Sequence, residues 1–423
     1  FCSSRYMKSL RGFIPYVIAF VSFFIYMSLM PTYYPPTPVS GQSNPGYERL
    51  HELFKNVSLS ERGGVSMVLM KKGEVVVDLW AGYADPTANQ KWKKDTLTVA
   101  YSTTKVFIGI IFTHLKRDHR FSYSDKVSTI WPEFACNGKE KTTIGEILDH
   151  KAGLLHFSRE FTLEESKNTT MMGSIIEQTN PQWAPGSKMG YSGIAYAYVI
   201  DQLVMRLDNK GRTAAEYFNE EIKPKSKDQD FFLGLPEDEN YRVARITNPS
   251  LLSSAIAHLS HPLNYIHIVS NYVKNGMIAD RSASYPSFLD LMKPDVVPFN
   301  SPDVRSLRLI SCNGIGTARA MAHTVMAASS LLTDGEKVDL MDPIGEEEDF
   351  VLSKRRIYGR GFSYIRHPTQ QNRFIVSFWG NGLQMVSWDP QDDIVFVVFR
   401  NGLKAGDNGR EQMEEMLEAA FHS

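Results

Sequence analysis

Strand patterns at both ends of the chain, with helical patterns between them, constrain the fold more than any other feature of this sequence. Residues 65–70 and 74–80 are apolar, β-branched or aromatic runs separated by Lys71-Lys72-Gly73, the signature of a hairpin. Towards the other end, residues 374–378, 384–388 and 394–399 read as further strands, followed by a helix with Met413, Met416, Leu417 and Ala420 on one face. Neither end has enough strands for a sandwich of its own. The economical arrangement is an α+β fold: one antiparallel β-sheet built from both chain ends, flanked by helices, with a helical region beside it. Leu50, Leu53 and Phe54 predict a short amphipathic helix ahead of the first hairpin, so one continuous domain is expected over residues 47–423.

The leader is a separate unit. Residues 13–30 carry no charge and are long enough to cross a bilayer as a helix, and Arg5, Lys8 and Arg11 precede them. The positive-inside rule then makes 1–12 a cytoplasmic tail, 13–30 a transmembrane signal-anchor, and everything beyond it luminal or extracellular. Residues 31–46, with Pro31, Pro35, Pro36 and Pro38, read as a stiff linker. A mitochondrial destination is the alternative, because the first acidic residue is Glu48. Asn56-Val57-Ser58 and Asn168-Thr169-Thr170 fit the N-glycosylation pattern.

Lys plus Arg number 46 against 47 for Asp plus Glu, which leaves no bulk charge to steer nucleic acid. Cys2, Cys136 and Cys312 are too few for a disulfide framework, although a Cys136–Cys312 bridge is open in an oxidising compartment. His114, His119, His156, His258, His261 and His267 show no metal-ligand spacing, so no metal is expected. The run Glu346-Glu347-Glu348-Asp349 reads as a solvated loop. The segment 251–300, punctuated by Pro262, Pro286, Pro294 and Pro298, reads either as an insertion over a cleft or as structural elaboration.

The chemistry concentrates at Tyr101-Ser102-Thr103-Thr104-Lys105, which opens the apolar run 106–112. That run has no polar face, so it predicts a buried helix, with Ser102 and Lys105 one turn apart on the same side. A serine hydroxyl is a poor nucleophile until a neighbouring base takes its proton, and a buried lysine amine can be that base. About two Ser-x-x-Lys matches are expected by chance in a chain of this length at average usage. A second group lies in the glycine- and proline-containing loop 183–193, which leads into a helix burying Tyr196, Val199, Ile200, Leu203 and Leu207. Tyr191 therefore stands at the lip of a helix. His150, just before Ala152-Gly153, reads as a structural residue near a helix C-terminus.

The ordered set Ser102-x-x-Lys105, Asp149-His150-Lys151-Ala152-Gly153-Leu154, Pro185-Gly186-Ser187 with Tyr191-Ser192-Gly193, and Trp379-Gly380-Asn381-Gly382 resembles the serine β-lactamase-related family. Further matching stretches are Trp131-Pro132-Glu133-Phe134, Phe232-Leu233-Gly234-Leu235-Pro236 and Asn313-Gly314-Ile315-Gly316-Thr317-Ala318-Arg319. The family includes class C β-lactamases, penicillin-binding proteins, family VIII esterases and animal β-lactamase-like proteins. With its anchor, this chain looks most like the animal members.

The resemblance implies an antiparallel sheet joined to a helical domain with the site between them. It makes Ser102 the acylated nucleophile, Lys105 the amine that helps deprotonate it, and Tyr191 the group that shares the base role and protonates the leaving group. The backbone amide of Ser102 and another near Leu383 or Gln384 would hold the oxyanion. Two departures stand out. Gly193 occupies a position where the family often has asparagine, and Trp379-Gly380-Asn381 replaces Lys-Thr-Gly. If Trp379 takes the first motif position the site is esterase-like; if Gly380 does, the basic residue is absent. Both weaken recognition of a substrate carboxylate and argue against efficient β-lactam hydrolysis. The expectation is a membrane-anchored serine hydrolase acting on a small-molecule ester or a peptide, without a cofactor and in an oligomeric state the sequence leaves open. The alternative is a non-catalytic relative that binds a ligand or protein in its cleft.

Overall fold

The computed structural model describes residues 15–23, 35–117, 121–249, 254, 266, 269–270, 273, 284–291, 296–343 and 345–422. The hairpin expected near the start is β2 (Gly64–Lys71) and β3 (Glu74–Asp85), preceded by β1 (Ser40–Ser43) and followed by the two-residue β4 (Gln90–Lys91). The strands expected at the far end are β11 (Phe374–Gly380), β12 (Gln384–Asp389) and β13 (Ile394–Arg400). Three more precede them: β8 (Gly345–Asp349), β9 (Lys354–Gly359) and β10 (Phe362–Arg366). All belong to one ten-stranded sheet of order β1-β3-β2-β13-β12-β11-β10-β9-β8, with β4 on β3. The two ends of the chain meet where β2 pairs antiparallel with β13, Val68 opposite Val397.

Two expectations are corrected here. Residues 40–43 are not linker: they pair with β3 from Ser40 opposite Trp80 to Ser43 opposite Val77, covering an edge that would otherwise expose its main-chain groups. The acidic run is not a loop but the outer strand β8, with Glu346, Glu347 and Glu348 exposed and Asp349 buried. Charged side chains suit a sheet edge, where they discourage pairing with another chain.

The central strands bury both faces, which explains why they read as unbroken apolar runs. Along β13, Ile394, Phe396 and Val398 face one core while Val395, Val397 and Phe399 face the other. The smaller core lies under α1 (Glu48–Leu59) and the C-terminal helix Arg410–His422, through Leu50, Phe54, Met413, Met416 and Leu417. The larger core contains α2 (Val106–Arg117), whose residues from Val106 to Phe112 are all buried, as its sequence predicted. It continues through α3 (Thr169–Gln178), α4 (Ala195–Leu207) and α5 (Ala318–Ser329), with the C-terminal helix following as α6. A small second sheet, β5 (Thr98–Val99), β7 (Gly314–Gly316) and β6 (Phe231–Leu233) in that order, ties the segment before Ser102 to the helical region.

Among the described residues no helix is long and apolar enough to cross a membrane. Residues 15–23 are helical, with Tyr16, Val17, Ile18, Phe20, Val21 and Phe23 exposed, and the rest of the 13–30 segment lies outside the described residues. So does most of 251–300; of its described part, Phe299 is buried edge-on against Tyr101, centroids 5.2 Å apart. Asn56 is exposed within α1, and Asn168 is exposed as the cap of α3, accepting from the Met171 amide at 3.0 Å. Cys136 and Cys312 are free thiols, so the bridge left open by the sequence is not formed.

Candidate active site

Residues Tyr101–Lys105 form a 3-10 turn that runs directly into α2. The turn is fixed by its own hydroxyls: Thr103 Oγ1 donates to the Ala100 carbonyl at 2.8 Å and Thr104 Oγ1 to the Tyr101 carbonyl at 2.6 Å. Tyr101 holds a left-handed φ of 48°, a costly conformation for a bulky residue that burial of its ring helps to maintain. In a 3-10 turn side chains three apart eclipse, so Ser102 and Lys105 point the same way. Lys105 is fully buried, with Nζ 3.4 Å from Ser102 Oγ. Its Nζ also reaches the Ser311 carbonyl at 2.7 Å and the Gly193 carbonyl at 3.4 Å. An amine at this position gives its two N–H bonds to these two carbonyls and has its lone pair left for the serine proton.

Tyr191 arrives from the loop before α4 and donates its hydroxyl to Ser102 Oγ at 2.5 Å. Lys105 Nζ lies 4.8 Å from the centroid of the Tyr191 ring and 5.8 Å from that of Tyr196. The three residues named from the sequence therefore converge on one oxygen. The Ser102 amide makes no hydrogen bond among the described residues and stands available to a developing oxyanion.

His150 supports this arrangement from behind. Its ring packs 5.1 Å from Tyr191, 4.4 Å from Tyr196 and 5.1 Å from Tyr358, and its Nδ1 accepts the Ser192 amide at 3.3 Å. Burial, with Lys105 and Arg356 nearby, holds its pKa well below the ordinary value, so the ring is neutral and acts as packing and acceptor. Burial likewise keeps the Tyr101, Tyr196 and Tyr358 phenols protonated.

The third motif differs from expectation in its details. Successive residues of β11 alternate faces, and Trp379 falls on the smaller core, its ring 5.0 Å beneath the Arg410 guanidinium. Trp379 is therefore removed from the site. Gly380 takes the face towards Ser102: a Cβ there would lie 2.9 Å from the Ala100 oxygen and 3.1 Å from Tyr101 Cβ. That close approach leaves no room for a side chain at the position that meets the nucleophile turn. Asn381 lies beside the Tyr101 hydroxyl, and Gly382 turns the chain with a φ of 74°. Leu383 is excluded as an oxyanion donor because its amide is given to the Gly380 carbonyl at 3.1 Å. The Gln384 side chain is structural, exchanging hydrogen bonds of 2.9 and 2.7 Å with the backbone of Arg400.

Two contributors escaped sequence reasoning. Ser311 orients Lys105 through its carbonyl and bonds the Gly193 carbonyl through Oγ at 2.9 Å; it lies two residues before the matching stretch that starts at Asn313. Asp349 accepts the Tyr191 amide at 3.1 Å and was hidden among three exposed acids. Among the described residues, His367, Asp389 and Asp392 bring three potential metal donors within 4.8 Å of one another. The Arg373 guanidinium already pairs with both carboxylates, at 2.8 and 2.9 Å, and supplies the cation there.

The chain is similar to known proteins over most of its length. The chain is 24% identical over 384 residues to Esterase/beta-lactamase LipL of Mycobacterium tuberculosis, covering 86% of this chain and 83% of that protein. Its fold matches a penicillin-binding protein homologue from Caulobacter crescentus with a TM-score of 0.74 at 24% identity, over 91% of this chain and 100% of that one. A family VIII carboxylesterase matches with a TM-score of 0.74 at 20% identity, over 91% and 99%. The Beta-lactamase family model matches residues 57–421, nearly the whole of the sheet and helical region, and the chain belongs to that family of serine hydrolases.

Proposed function

We propose that this chain is an esterase-like serine hydrolase that forms an acyl-enzyme on Ser102. The observation that carries this reading is the convergence of the Tyr191 hydroxyl at 2.5 Å and the Lys105 amine at 3.4 Å on Ser102 Oγ. In the acylation step Oγ attacks the substrate carbonyl carbon while its proton passes to the Lys105–Tyr191 pair. The carbonyl oxygen becomes an oxyanion held by the Ser102 amide and a second donor from the 380–384 hairpin. Tyr191 protonates the departing alkoxide, and the same pair then takes a proton from the water that releases the acid.

Ester cleavage is favoured over β-lactam hydrolysis because Gly193 presents no side chain amide to an acyl group and Gly380 has no room for a cation. A neutral small-molecule ester therefore fits better than an anionic one, with a peptide bond as the second substrate of the same acyl-transfer chemistry. Anchoring of the domain by the 13–30 segment, facing a lumen or the exterior, belongs to the same proposal, with a mitochondrial site as its alternative.

The test is labelling with a fluorophosphonate probe of protein beginning at Pro35, because the Tyr83 hydroxyl bonds the Pro35 carbonyl at 3.0 Å and β1 completes the sheet. Wild type is expected to acquire one adduct on Ser102, while Ser102→Ala acquires none and Lys105→Ala labels at least a hundredfold more slowly. Folded wild type that stays unlabelled would leave the cleft as a binding site and end the hydrolase reading.

A further inference from the structure

The hairpin of β8 and β9 grips the loop that carries Tyr191, and the grip centres on one carboxylate. Asp349 is fully buried, and its Oδ1 accepts three backbone amides: Tyr191 at 3.1 Å, Val351 at 3.0 Å and Leu352 at 3.0 Å. Met189 and Asp349 form a parallel bridge, and the Phe350 amide donates to the Met189 carbonyl at 2.9 Å. Side chains extend the contact. The Phe350 ring stands edge-on to Trp183 at 5.7 Å and beneath the Lys188 ammonium at 4.4 Å, while Lys151 pairs with Glu347. Gly190 allows the closest approach: a Cβ there would lie 2.3 Å from the Trp183 ring and 3.0 Å from Val351.

We propose that Asp349 is a positioning residue for Tyr191, fixing through its backbone where the phenol oxygen stands over Ser102; this rests on the hydrolase reading above. The Tyr191 hydroxyl is at the end of a long lever, so a small shift of its backbone displaces the proton-transfer atom by a comparable distance, and misplacements of about 1 Å cost about a hundredfold in rate. Asp349 Oδ1 bonds the backbone of Tyr191 itself, while the His150 ring packs against the Tyr191 ring and bonds the next amide. The loop is thus held between the sheet edge and the helical region. A carboxylate in this place is expensive: Asp349 Oδ2 makes no hydrogen bond among the described residues, and burial pushes the group's pKa up, opposed by the three amides and by Arg356.

The proposal makes the outer hairpin, whose other acids are solvated, a part of the site. It predicts that the side-chain acceptor matters and the exposed carboxylates beside it do not. The experiment measures the rate of Ser102 labelling by the fluorophosphonate together with hydrogen exchange of the 189–193 peptide. Asp349→Ala is expected to label at least tenfold more slowly and to exchange faster at the Tyr191 amide. Asp349→Asn, which keeps an oxygen acceptor, should recover most of that loss, and Glu348→Ala should label as wild type. In a Tyr191→Phe background the residual labelling should change less than twofold on adding Asp349→Ala, because the two residues act through one atom.

An equal loss from Asp349→Ala with and without Tyr191 would mark the residue as merely structural and overturn the proposal. So would wild-type labelling by Asp349→Ala, or an Asn variant as slow as the Ala variant. If Asp349→Ala does not fold, Phe350→Ala loosens the same grip from the half-exposed side, with a several-fold loss that must again vanish in Tyr191→Phe. Unlabelled wild type would sink the hydrolase reading instead, and exchange at Tyr191 would still show whether Asp349 holds the loop: faster exchange in Asp349→Ala supports the grip, and unchanged exchange removes it.

Discussion

Gly193 shows how much a single missing side chain decides. Its carbonyl is occupied, accepting from Ser311 Oγ and from Lys105 Nζ, yet a Cβ built on it meets no heavy atom within 4 Å. The position is open, and its φ lies outside the left-handed region, so asparagine fits without strain. Gly193→Asn is expected to fold and, by offering one hydrogen bond to an acyl amide, to speed acylation by a fluorescent penicillin about tenfold. An unchanged rate in a folded variant would mean that Gly193 does not face the acyl group. At this scale the sequence was informative about the three side chains that meet at Ser102 Oγ. Ser102 and Lys105 were legible because nucleophile and base chemistry restricts residue type and spacing, and Tyr191 through the family resemblance of its loop. Ser311 and Asp349 were not, because they act through a carbonyl and through a backbone amide, and those roles leave no mark on composition.

Among the elements, β2, β12 and β13 are buried along nearly their whole length, while the partly exposed β3 and β11 were readable from their β-branched and aromatic residues. Strands β8 and β9 were not, since an edge hairpin is rich in Glu, Lys and Arg, the composition of a loop. The alternation seen along β13 in the structure also settles the third motif: one residue along β11 separates Trp379, under the terminal helices, from Gly380, against Tyr101. The end of β11 therefore acts as a spacer for the nucleophile turn. Gly380→Ala would force a Cβ within 2.9 Å of both the Ala100 oxygen and Gln384 Cβ, and these are backbone-anchored neighbours that cannot swing aside. Fluorophosphonate labelling should fall at least tenfold, because the turn has to move relative to Lys105 and Tyr191. Gly335→Ala, where a Cβ meets nothing within 4 Å, is the control expected to label as wild type. Equal rates in the two variants would show that the strand end does not set the position of Ser102.

For the whole molecule, the sheet is the wall between two cores, and both chain ends supply it. Ser102 and its partners stand on the side of the larger core, whereas α1 and α6 cover the other side through Leu50, Phe54, Met413, Met416 and Leu417. Because β2 and β13 contribute alternate residues to both cores, neither core can come apart without breaking strands that the other needs. This organisation was inferable from strands at both ends of the chain, but the partition between the cores was not, as it depends on register. It makes a prediction far from the chemistry. Met416 is fully buried in the smaller core, and Met416→Ala removes most of its side chain, a change that typically costs 2–5 kcal/mol, roughly, at such sites. The midpoint of thermal unfolding should fall by several degrees. Below that midpoint the labelling rate per folded molecule should match wild type, since Met416 belongs to the smaller core and the residues around Ser102 to the larger one. Above it, loss of labelling at Ser102 and loss of helical and strand signal should coincide in both proteins, as one transition. A variant that loses its terminal helices first and still labels Ser102 at the wild-type rate would show that the two faces of the sheet are independent, contrary to the shared strands.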